Sequence, residues 1–230
     1  MPQQDYIRMF GADHWLYILI LLCLIAALFV FRKQIPPRRK QISAIILGVS
    51  VFQQLLLYSS YFTLLDFHLG ESLPFQLSRI SSLIGIFLLI TKRRRLFSVL
   101  CFFSIYAWAT FLYPSRVYAI THPIGVSFIL NHVITILLPY YMMIAYGMQI
   151  KKGDALHAFF WFFVYLVFVY FFNPLVDGNY FYLKYRPVFS TWPDALYLPA
   201  TLLVTLAGFL LGERWYLYIG DKLTKGAAHD

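Results

Sequence analysis

Residues Trp15–Phe31 read WLYILILLCLIAALFVF, and residues Arg32–Lys40, which follow directly, read RKQIPPRRK. The first stretch is apolar throughout, and as an α-helix it would cover most of a bilayer core that is roughly 30 Å thick. The second stretch carries five basic residues within nine positions. An apolar helix that ends at a basic loop is typical of an integral membrane protein, with the basic loop on the cytoplasmic side.

The rest of the chain repeats this pattern over its 230 residues. Apolar residues make up 60% of the sequence and charged residues only 13%, which leaves too little polar surface to cover a soluble globule. The predicted fold is an all-α membrane protein, a seven-transmembrane helix bundle that forms one polytopic domain over residues 1–230. The predicted helices are Trp15–Phe31, Ile42–Leu64, Pro74–Thr91, Leu96–Leu112, Ile124–Gln149, Leu156–Phe172 and Tyr197–Gly212.

Basic residues are concentrated in every second loop. Fourteen of the nineteen follow the first, third, fifth and seventh helices, Arg79 lies inside a helix, and only four lie on the other side: Arg8, Arg116, Lys184 and Arg186. This bias predicts an amino terminus outside the cell and a carboxyl terminus in the cytoplasm. We therefore assign the formal charge of +9 to topology and to anionic lipids of a plasma membrane, and not to nucleic-acid binding.

The amino-terminal region lacks a basic segment and a small-residue cleavage site before Trp15, so we expect the first helix to be retained. Cys23 and Cys101 both lie inside predicted helices, without a CxxC motif or a cysteine pair outside the membrane. We expect no disulfide, no metal site and no cofactor.

Polar residues gather at the start of the third helix. Glu71 and Gln76 precede Ser78 and Arg79, and Ser82 lies on the same broad face of the helix as both of the latter. Arg79 would lie roughly 8 Å inside the predicted outer end. An ionisable group at that depth costs several kcal/mol unless it is paired or lines a cavity.

The fifth helix carries a matching polar face. Asn131 is four residues from both Ser127 and Thr135, and His132 would lie roughly 12 Å deep. If the two helices face each other, their polar groups form one chamber in the outer half of the membrane. Structural pairing of Arg79 with His132 is the alternative.

The loop at 173–193, NPLVDGNYFYLKYRPVFSTWP, is too aromatic for a flexible linker, and we expect it to fold over the outer mouth as a lid. Its polar residues would roof the chamber: Asn173, Asp177, Asn179, Tyr180 and Lys184. Either Glu71 or Asp177 would be the counter-charge of Arg79. Two further polar residues in the second helix, Gln53 and Gln54, are interpreted as interhelical hydrogen-bonding residues.

Three stretches carry a resemblance to a known family. They are ESLPFQLSRIS (Glu71–Ser81), SFILNHVITILLPYY (Ser127–Tyr141) and NPLVDGNYFYLKYRP (Asn173–Pro187), the last followed by Trp192 and Pro193. In these stretches, and in their order over nearly the whole chain, the sequence resembles the YwaF-like family of bacterial integral membrane proteins. The eukaryotic relatives of that family include a transmembrane acyltransferase of ether-phospholipid synthesis.

The resemblance implies an acyl-transfer site. In the eukaryotic relatives the third-helix motif looks like LPxHLC, with the cysteine as acyl carrier and a histidine of the fifth helix as its base. His132 matches that histidine, whereas Gln76 stands at the motif's histidine and Ser78 at its cysteine. A serine hydroxyl needs a better-placed base and oxyanion site than a thiolate does. Arg79 would stabilise the oxyanion or bind a lipid phosphate.

Three functions stay open from the sequence. The first is a lipid acyltransferase-like enzyme, the second is a non-catalytic protein that binds or transports a lipid or small anion, and the third is an assembly subunit for a membrane-protein partner. Membrane lipids are the expected ligands in the first two. The candidate catalytic residues are Ser78 and His132, and the candidate substrate-binding residues are Arg79, Gln76, Asn131, Asp177, Asn179 and Glu71.

Overall fold

The computed structural model describes residues 6–228, with side chains as far as Leu223. Within that range the chain forms seven α-helices and three single 3-10 turns, and no β-strand is present. The helices are α1 (Ala12–Val30), α2 (Arg39–Thr63), α3 (Leu77–Thr91), α4 (Arg94–Leu112), α5 (Pro123–Tyr146), α6 (Asp154–Leu175) and α7 (Asp194–Ala228).

Six of these helices are long and apolar enough to cross a membrane. The prediction of a helical membrane protein is confirmed at that level. The remaining helix, α3, has only 15 residues, which corresponds to about 22 Å of helix. A non-helical segment, Glu71–Gln76, precedes it where the sequence predicted helix from Pro74 onward; it consists of turns and bends and ends in the extended residue Gln76.

The helix bounds differ from the predicted ones for local reasons. The start of α3 moves to Leu77 because Gln76 is extended, with φ −67° and ψ 137°. The end of α5 moves from Gln149 to Tyr146 because Gly147 adopts a left-handed conformation, φ 64°, that closes the helix. The other starts, apart from that of α5, lie two or three residues earlier than predicted, which is within the usual uncertainty.

The predicted ends of the last two helices are also corrected. The helix α6 continues through Asn173 to Leu175, so the segment over the bundle begins later than predicted. The helix α7 continues past Gly212 for four more turns, because aromatic residues there still find helix partners. One of them, Tyr216, is buried and packs against Phe102 of α4 and Tyr140 of α5.

The helix α5 lies at the centre of the bundle. It packs against α1, α2, α3, α4 and α7, whereas α6 packs against α4 and α7. Most of the apolar residues of α5 are buried, whereas α1 and α7 present large exposed apolar side chains along their length. In a bilayer these exposed faces are the ones that contact lipid, and the polar residues of α5 face other helices.

Contacts between loops define the two ends of the bundle. At one end, which we call the predicted outer end, the amide of Ile7 donates to the carbonyl of Val117 (2.8 Å), and the amide of Asn179 donates to the carbonyl of Gly70 (3.2 Å). At the opposite end Arg94 pairs with Asp154 at 2.7 Å. The predicted outer end therefore holds the starts of α1, α3, α5 and α7 and the ends of α2, α4 and α6.

Candidate functional site

Arg79 anchors the non-helical segment that precedes α3. Its Nη1 donates to the backbone carbonyls of Glu71 (2.6 Å) and Leu73 (2.8 Å), and its Nη2 donates to the hydroxyl of Tyr61. Arg79 is 9% exposed. Because these two carbonyls lie outside a helix and have no i+4 amide as a partner, the guanidinium satisfies them instead.

The expected ion pair of Arg79 is not formed. Among residues 6–228, no carboxylate lies within 4.0 Å of the guanidinium. Glu71 contributes its backbone carbonyl, and Asp177 pairs with Lys184 at 2.5 Å instead. The charge of Arg79 is balanced by two carbonyl dipoles and by the face of the Tyr61 ring, whose centroid is 4.9 Å away.

The amide side chain of Gln76 joins the outer loop to the same segment by hydrogen bonds. Gln76 donates from Nε2 to the carbonyl of Asn179 (3.2 Å) and accepts at Oε1 from the amide of Phe181 (3.3 Å). The buried hydroxyl of Tyr180 accepts from the amide of Leu73 (3.0 Å) and donates to a carbonyl just before the segment. Gln76 and Asn179 thus lie together, as predicted for the roof, but both are engaged in structural hydrogen bonds.

A second polar layer joins α2, α3 and α5. Gln53 donates from Nε2 to the hydroxyl of Ser127 (2.8 Å), and Gln54 donates from Nε2 to the hydroxyl of Ser82 (2.9 Å). Gln54 also donates to Oε1 of Gln53 (2.9 Å). These are interhelical hydrogen bonds of the predicted kind. In the described part of the chain, Oε1 of Gln54 is buried without a partner.

Asn131 brings α5 against the start of α3. Its Nδ2 donates to the carbonyl of Ser78 (3.4 Å), and its Oδ1 accepts from the hydroxyl of Thr135 (3.4 Å). Two residues that the sequence placed in one site, Ser78 and Asn131, are therefore in contact. The contact uses the backbone of Ser78, so its side chain is not committed by it.

Ser78 is the second residue of α3 and is partly exposed. The residue before the helix, Gln76, gives no side-chain cap. In the described range, neither the amides of Leu77 and Ser78 nor the hydroxyl of Ser78 takes part in a hydrogen bond. Uncapped amides at a helix start carry partial positive charge and are donors for an anionic oxygen. The Ser78 hydroxyl thus lies on the helix turn that holds two unused backbone donors.

His132 is 5% exposed and lies against aromatic rings of α4 and α5. Its ring centroid is 4.0 Å from that of Phe128 and 6.2 Å from that of Phe111. Its Nδ1 lies 2.9 Å from the carbonyl oxygen of Phe128. A carbonyl only accepts, so Nδ1 carries the proton and Nε2 is the unprotonated acceptor of the neutral ring. No hydrogen bond joins His132 to Ser78 in the part of the chain that the structure describes.

His14 shows what a structural histidine looks like in this bundle. Its Nδ1 accepts from the amide of Phe10 (2.9 Å), and its Nε2 donates to the carbonyl of Phe111 (2.8 Å). The side chain is buried, and both ring nitrogens are occupied. These bonds assign His14 to the packing of α1 on α4. His132 differs because, among the described residues, only its Nδ1 has a hydrogen-bond partner.

The residues expected in one chamber are thus distributed over three contact groups: the segment and loop around Arg79, the polar layer of α2, α3 and α5, and the aromatic surroundings of His132. Asp177 lies outside all three, with its side chain exposed beside Lys184. Sequence analysis missed Tyr61, which binds Arg79 in the first group, and it placed Tyr180 in the roof without its hydrogen bonds to the segment before α3. Within the described residues, no group of three or more His, Cys, Asp or Glu side chains is placed to hold a metal ion.

Comparison with known proteins places the chain in a family. Neither the curated proteins nor the solved structures give a match. Residues 9–217 match the TMEM164 family, a family of transmembrane proteins, and this range includes all eight candidate site residues. The match does not confirm the resemblance to the YwaF-like family or to its acyltransferase relatives. It covers nearly the whole chain, so this protein belongs to the TMEM164 family.

Proposed function

We propose that this protein is a membrane-embedded, lipid acyltransferase-like enzyme with Ser78 as nucleophile and His132 as base. The observation that carries the proposal is the position of Ser78 in the first turn of α3, with an uncommitted hydroxyl and two unused backbone amides on the same turn. A nucleophile beside oxyanion donors is the arrangement that acyl transfer requires. The sequence resemblance to the YwaF-like family, whose eukaryotic relatives include an acyltransferase, points to the same position, where those relatives carry a cysteine.

The chemistry uses groups of this chain only. Oγ of Ser78 attacks the ester carbonyl carbon of a membrane lipid, and its proton passes to Nε2 of His132, directly or through one water. The amides of Leu77 and Ser78 stabilise the oxyanion. The ester bond to the lipid alcohol breaks, and the alcohol leaves with the proton from His132. A hydroxyl of a second lipid then attacks the Ser78 ester, gives its proton to His132, and releases Ser78 with a proton restored.

The protonation state of His132 supports its role as base. With Nδ1 donating to Phe128, Nε2 is free to accept a proton. Ser78 and His132 are not hydrogen-bonded to each other, and catalytic hydrogen bonds often form only when substrate is bound.

The proposal is tested by intact-protein mass spectrometry of the full chain in detergent, quenched shortly after addition of phospholipid as acyl donor. The wild type is expected to carry an acyl mass that Ser78→Ala abolishes. His132→Gln should slow its formation by about 10²- to 10⁴-fold. Ser81→Ala is the matched control, because Ser81 lies on the same helix and its hydroxyl donates to the carbonyl of Leu77 (2.8 Å). An acyl mass that persists in Ser78→Ala contradicts the proposal.

A second candidate function is non-catalytic binding of a lipid or small anion. It is favoured by the engagement of Arg79, Gln76 and Asn179 in structural bonds and by the separation of His132 from Ser78. On this hypothesis a lipid co-purifies without a covalent mass, and Ser78→Ala leaves its amount unchanged. The same mass spectra therefore separate the two candidates.

We propose further that the chain lies in a bacterial plasma membrane with its amino terminus outside and its carboxyl terminus in the cytoplasm. The support is the charge bias, since fourteen basic residues lie at the end opposite the predicted outer end. Labelling of single cysteines by a membrane-impermeant thiol reagent in intact cells tests the orientation. A cysteine at Arg8 should be labelled and one at Lys151 should not.

A further inference from the structure

Loops at the predicted outer end enclose a cleft of about 340 Å³. It lies between the loop that joins α4 to α5 and the loop that joins α6 to α7. Its polar lining consists of two serines, three basic residues and two tyrosines: Ser115, Ser190, Arg116, Lys184, Arg186, Tyr182 and Tyr185. None of these residues belongs to the Ser78 site.

The charge of this cleft is unusual for its end of the molecule. Only four basic residues lie on the predicted outer side, and three of them line the cleft. Lys184 is paired with Asp177, whose hydrogen bond raises the pKa of the lysine, and Arg186 is paired with Asp194. Over residues 6–228, no carboxylate lies within 4.0 Å of Arg116. Among the described residues, the guanidinium of Arg116 is thus the basic group of the cleft without a carboxylate partner.

Two of the cations converge on one ring. The guanidinium carbon of Arg116 lies 5.6 Å from the centroid of Tyr185, and the ammonium of Lys184 lies 5.2 Å from the same centroid. Both cations therefore lie beside a residue that lines the cleft, and basic side chains at a cleft favour an anionic ligand. The hydroxyls of Ser115 and Ser190, for which the described structure contains no hydrogen bond, are further donors.

Exposed apolar side chains neighbour the cleft in sequence. Val188 and Phe189 lie between the lining residues Pro187 and Ser190 and are each more than half exposed, and Phe189 stacks on Trp192 with ring centroids 4.3 Å apart. Aromatic and apolar side chains beside cations are typical of the level of lipid headgroups. A ligand in this cleft would therefore meet basic side chains with exposed apolar side chains close by, as suits an amphiphile.

We propose that this cleft binds the phosphate group of a phospholipid headgroup, with Arg116 as the principal ligand. A guanidinium presents paired N–H donors that match two phosphate oxygens, and the serine hydroxyls offer donors to the remaining oxygens. Free phosphate has the same recognition chemistry, so the source must be distinguished by experiment. The site goes beyond the acyl-transfer proposal and stands whether or not Ser78 is acylated.

The test is native mass spectrometry of the full chain in detergent micelles, titrated with phosphatidylglycerol, with diacylglycerol and with inorganic phosphate. Arg116→Gln is expected to weaken phosphatidylglycerol binding about three- to tenfold, since one charge-assisted contact is lost at an exposed site. Arg8→Gln removes the same charge from the same predicted side without lining the cleft, and should leave binding unchanged. Diacylglycerol, which lacks the phosphate, should bind weakly and equally to all variants.

Two further variants distinguish loss of the phosphate contact from misfolding and from an effect at the Ser78 site. Arg116→Lys keeps the charge but loses the paired donors, so its affinity should lie between those of wild type and Arg116→Gln. Ser78→Ala should bind phosphatidylglycerol as the wild type does. Equal phosphatidylglycerol affinity in wild type and Arg116→Gln would overturn the proposal. Binding of inorganic phosphate as tightly as the lipid would overturn the assignment to a headgroup.

Discussion

The guanidinium of Arg79 lies over the ring of Tyr61, 4.9 Å from its centroid, and donates to the hydroxyl of the same tyrosine. One residue of α2 therefore stabilises and orients the buried cation of α3. The other guanidinium donors hold the non-helical segment before α3. The start of α3, and with it Ser78, depends on this contact between two helices.

Removal of the Tyr61 hydroxyl should weaken this contact without disturbing the ring. We expect Tyr61→Phe to lower the free energy of unfolding by about 1 to 2 kcal/mol, because a hydrogen bond to a charged group is lost in a partly apolar site. Equilibrium unfolding in mixed micelles measures the change. Tyr58→Phe, on the same helix one turn earlier, has no hydrogen bond to lose in the described structure and should be nearly neutral. Equal losses in both variants would contradict the role given to the Tyr61 hydroxyl.

Arg79 is expected to act on stability and not on the chemical step. Arg79→Lys keeps the charge, but one ammonium cannot span two carbonyls and a hydroxyl in the geometry of a guanidinium. The variant should be less stable than the wild type by about 2 kcal/mol, since charge-assisted hydrogen bonds to the segment are lost. Acylation of Ser78, normalised to folded protein, should stay within about twofold of the wild type. A selective loss of acylation at unchanged stability would instead assign Arg79 to oxyanion stabilisation.

The helix starts that matter most here were the least predictable from the sequence. Hydropathy locates all seven helices, because each carries a continuous apolar stretch. Hydropathy cannot reveal that α3 begins only at Leu77. The residues before Leu77 are not helical, and Arg79 holds two of their backbone carbonyls. The prediction that Glu71 or Asp177 supplies a counter-charge to Arg79 failed for the same reason, since a sequence pattern compares side chains and two partners of Arg79 are backbone carbonyls.

The polar groups of α5 illustrate a second limit. Spacing correctly indicated that Asn131 shares a face with Ser127 and Thr135, and the structure places that face against α2 and α3. His132 is the next residue and points about 100° away around the helix, toward Phe111 of α4. The cleft around Arg116 was not predicted, because its cations come from two loops that are distant in sequence.

A cysteine at position 78 should be a stronger acyl carrier than the native serine. Ser78→Cys places a thiol in the first turn of α3, where uncapped amides stabilise a thiolate. We expect an acyl mass that forms faster than on the wild type and that neutral hydroxylamine removes, because a thioester is cleaved under conditions that spare an ester. Ser81→Cys is the control and should stay unmodified, since position 81 is buried and three residues farther along the helix. Modification of both cysteines alike would indicate non-specific acylation.

Two glycines provide a direct test of the packing around the start of α5. A Cβ atom at Gly125 would lie 1.9 Å from the carbonyl oxygen of Ala119, a backbone atom that cannot rotate away, whereas a Cβ at Gly48 in α2 meets nothing within 4 Å. Gly125→Ala should therefore displace the loop before α5 and lower the free energy of unfolding by about 1 to 3 kcal/mol, as other overpacked sites do. Gly48→Ala should be neutral or stabilise α2 by up to about 1 kcal/mol through helix propensity. Unfolding in mixed micelles compares the two variants directly.

Because Ala119 lies three residues after Arg116 on the loop that Gly125→Ala displaces, this variant should also weaken phosphatidylglycerol binding, and Gly48→Ala should not.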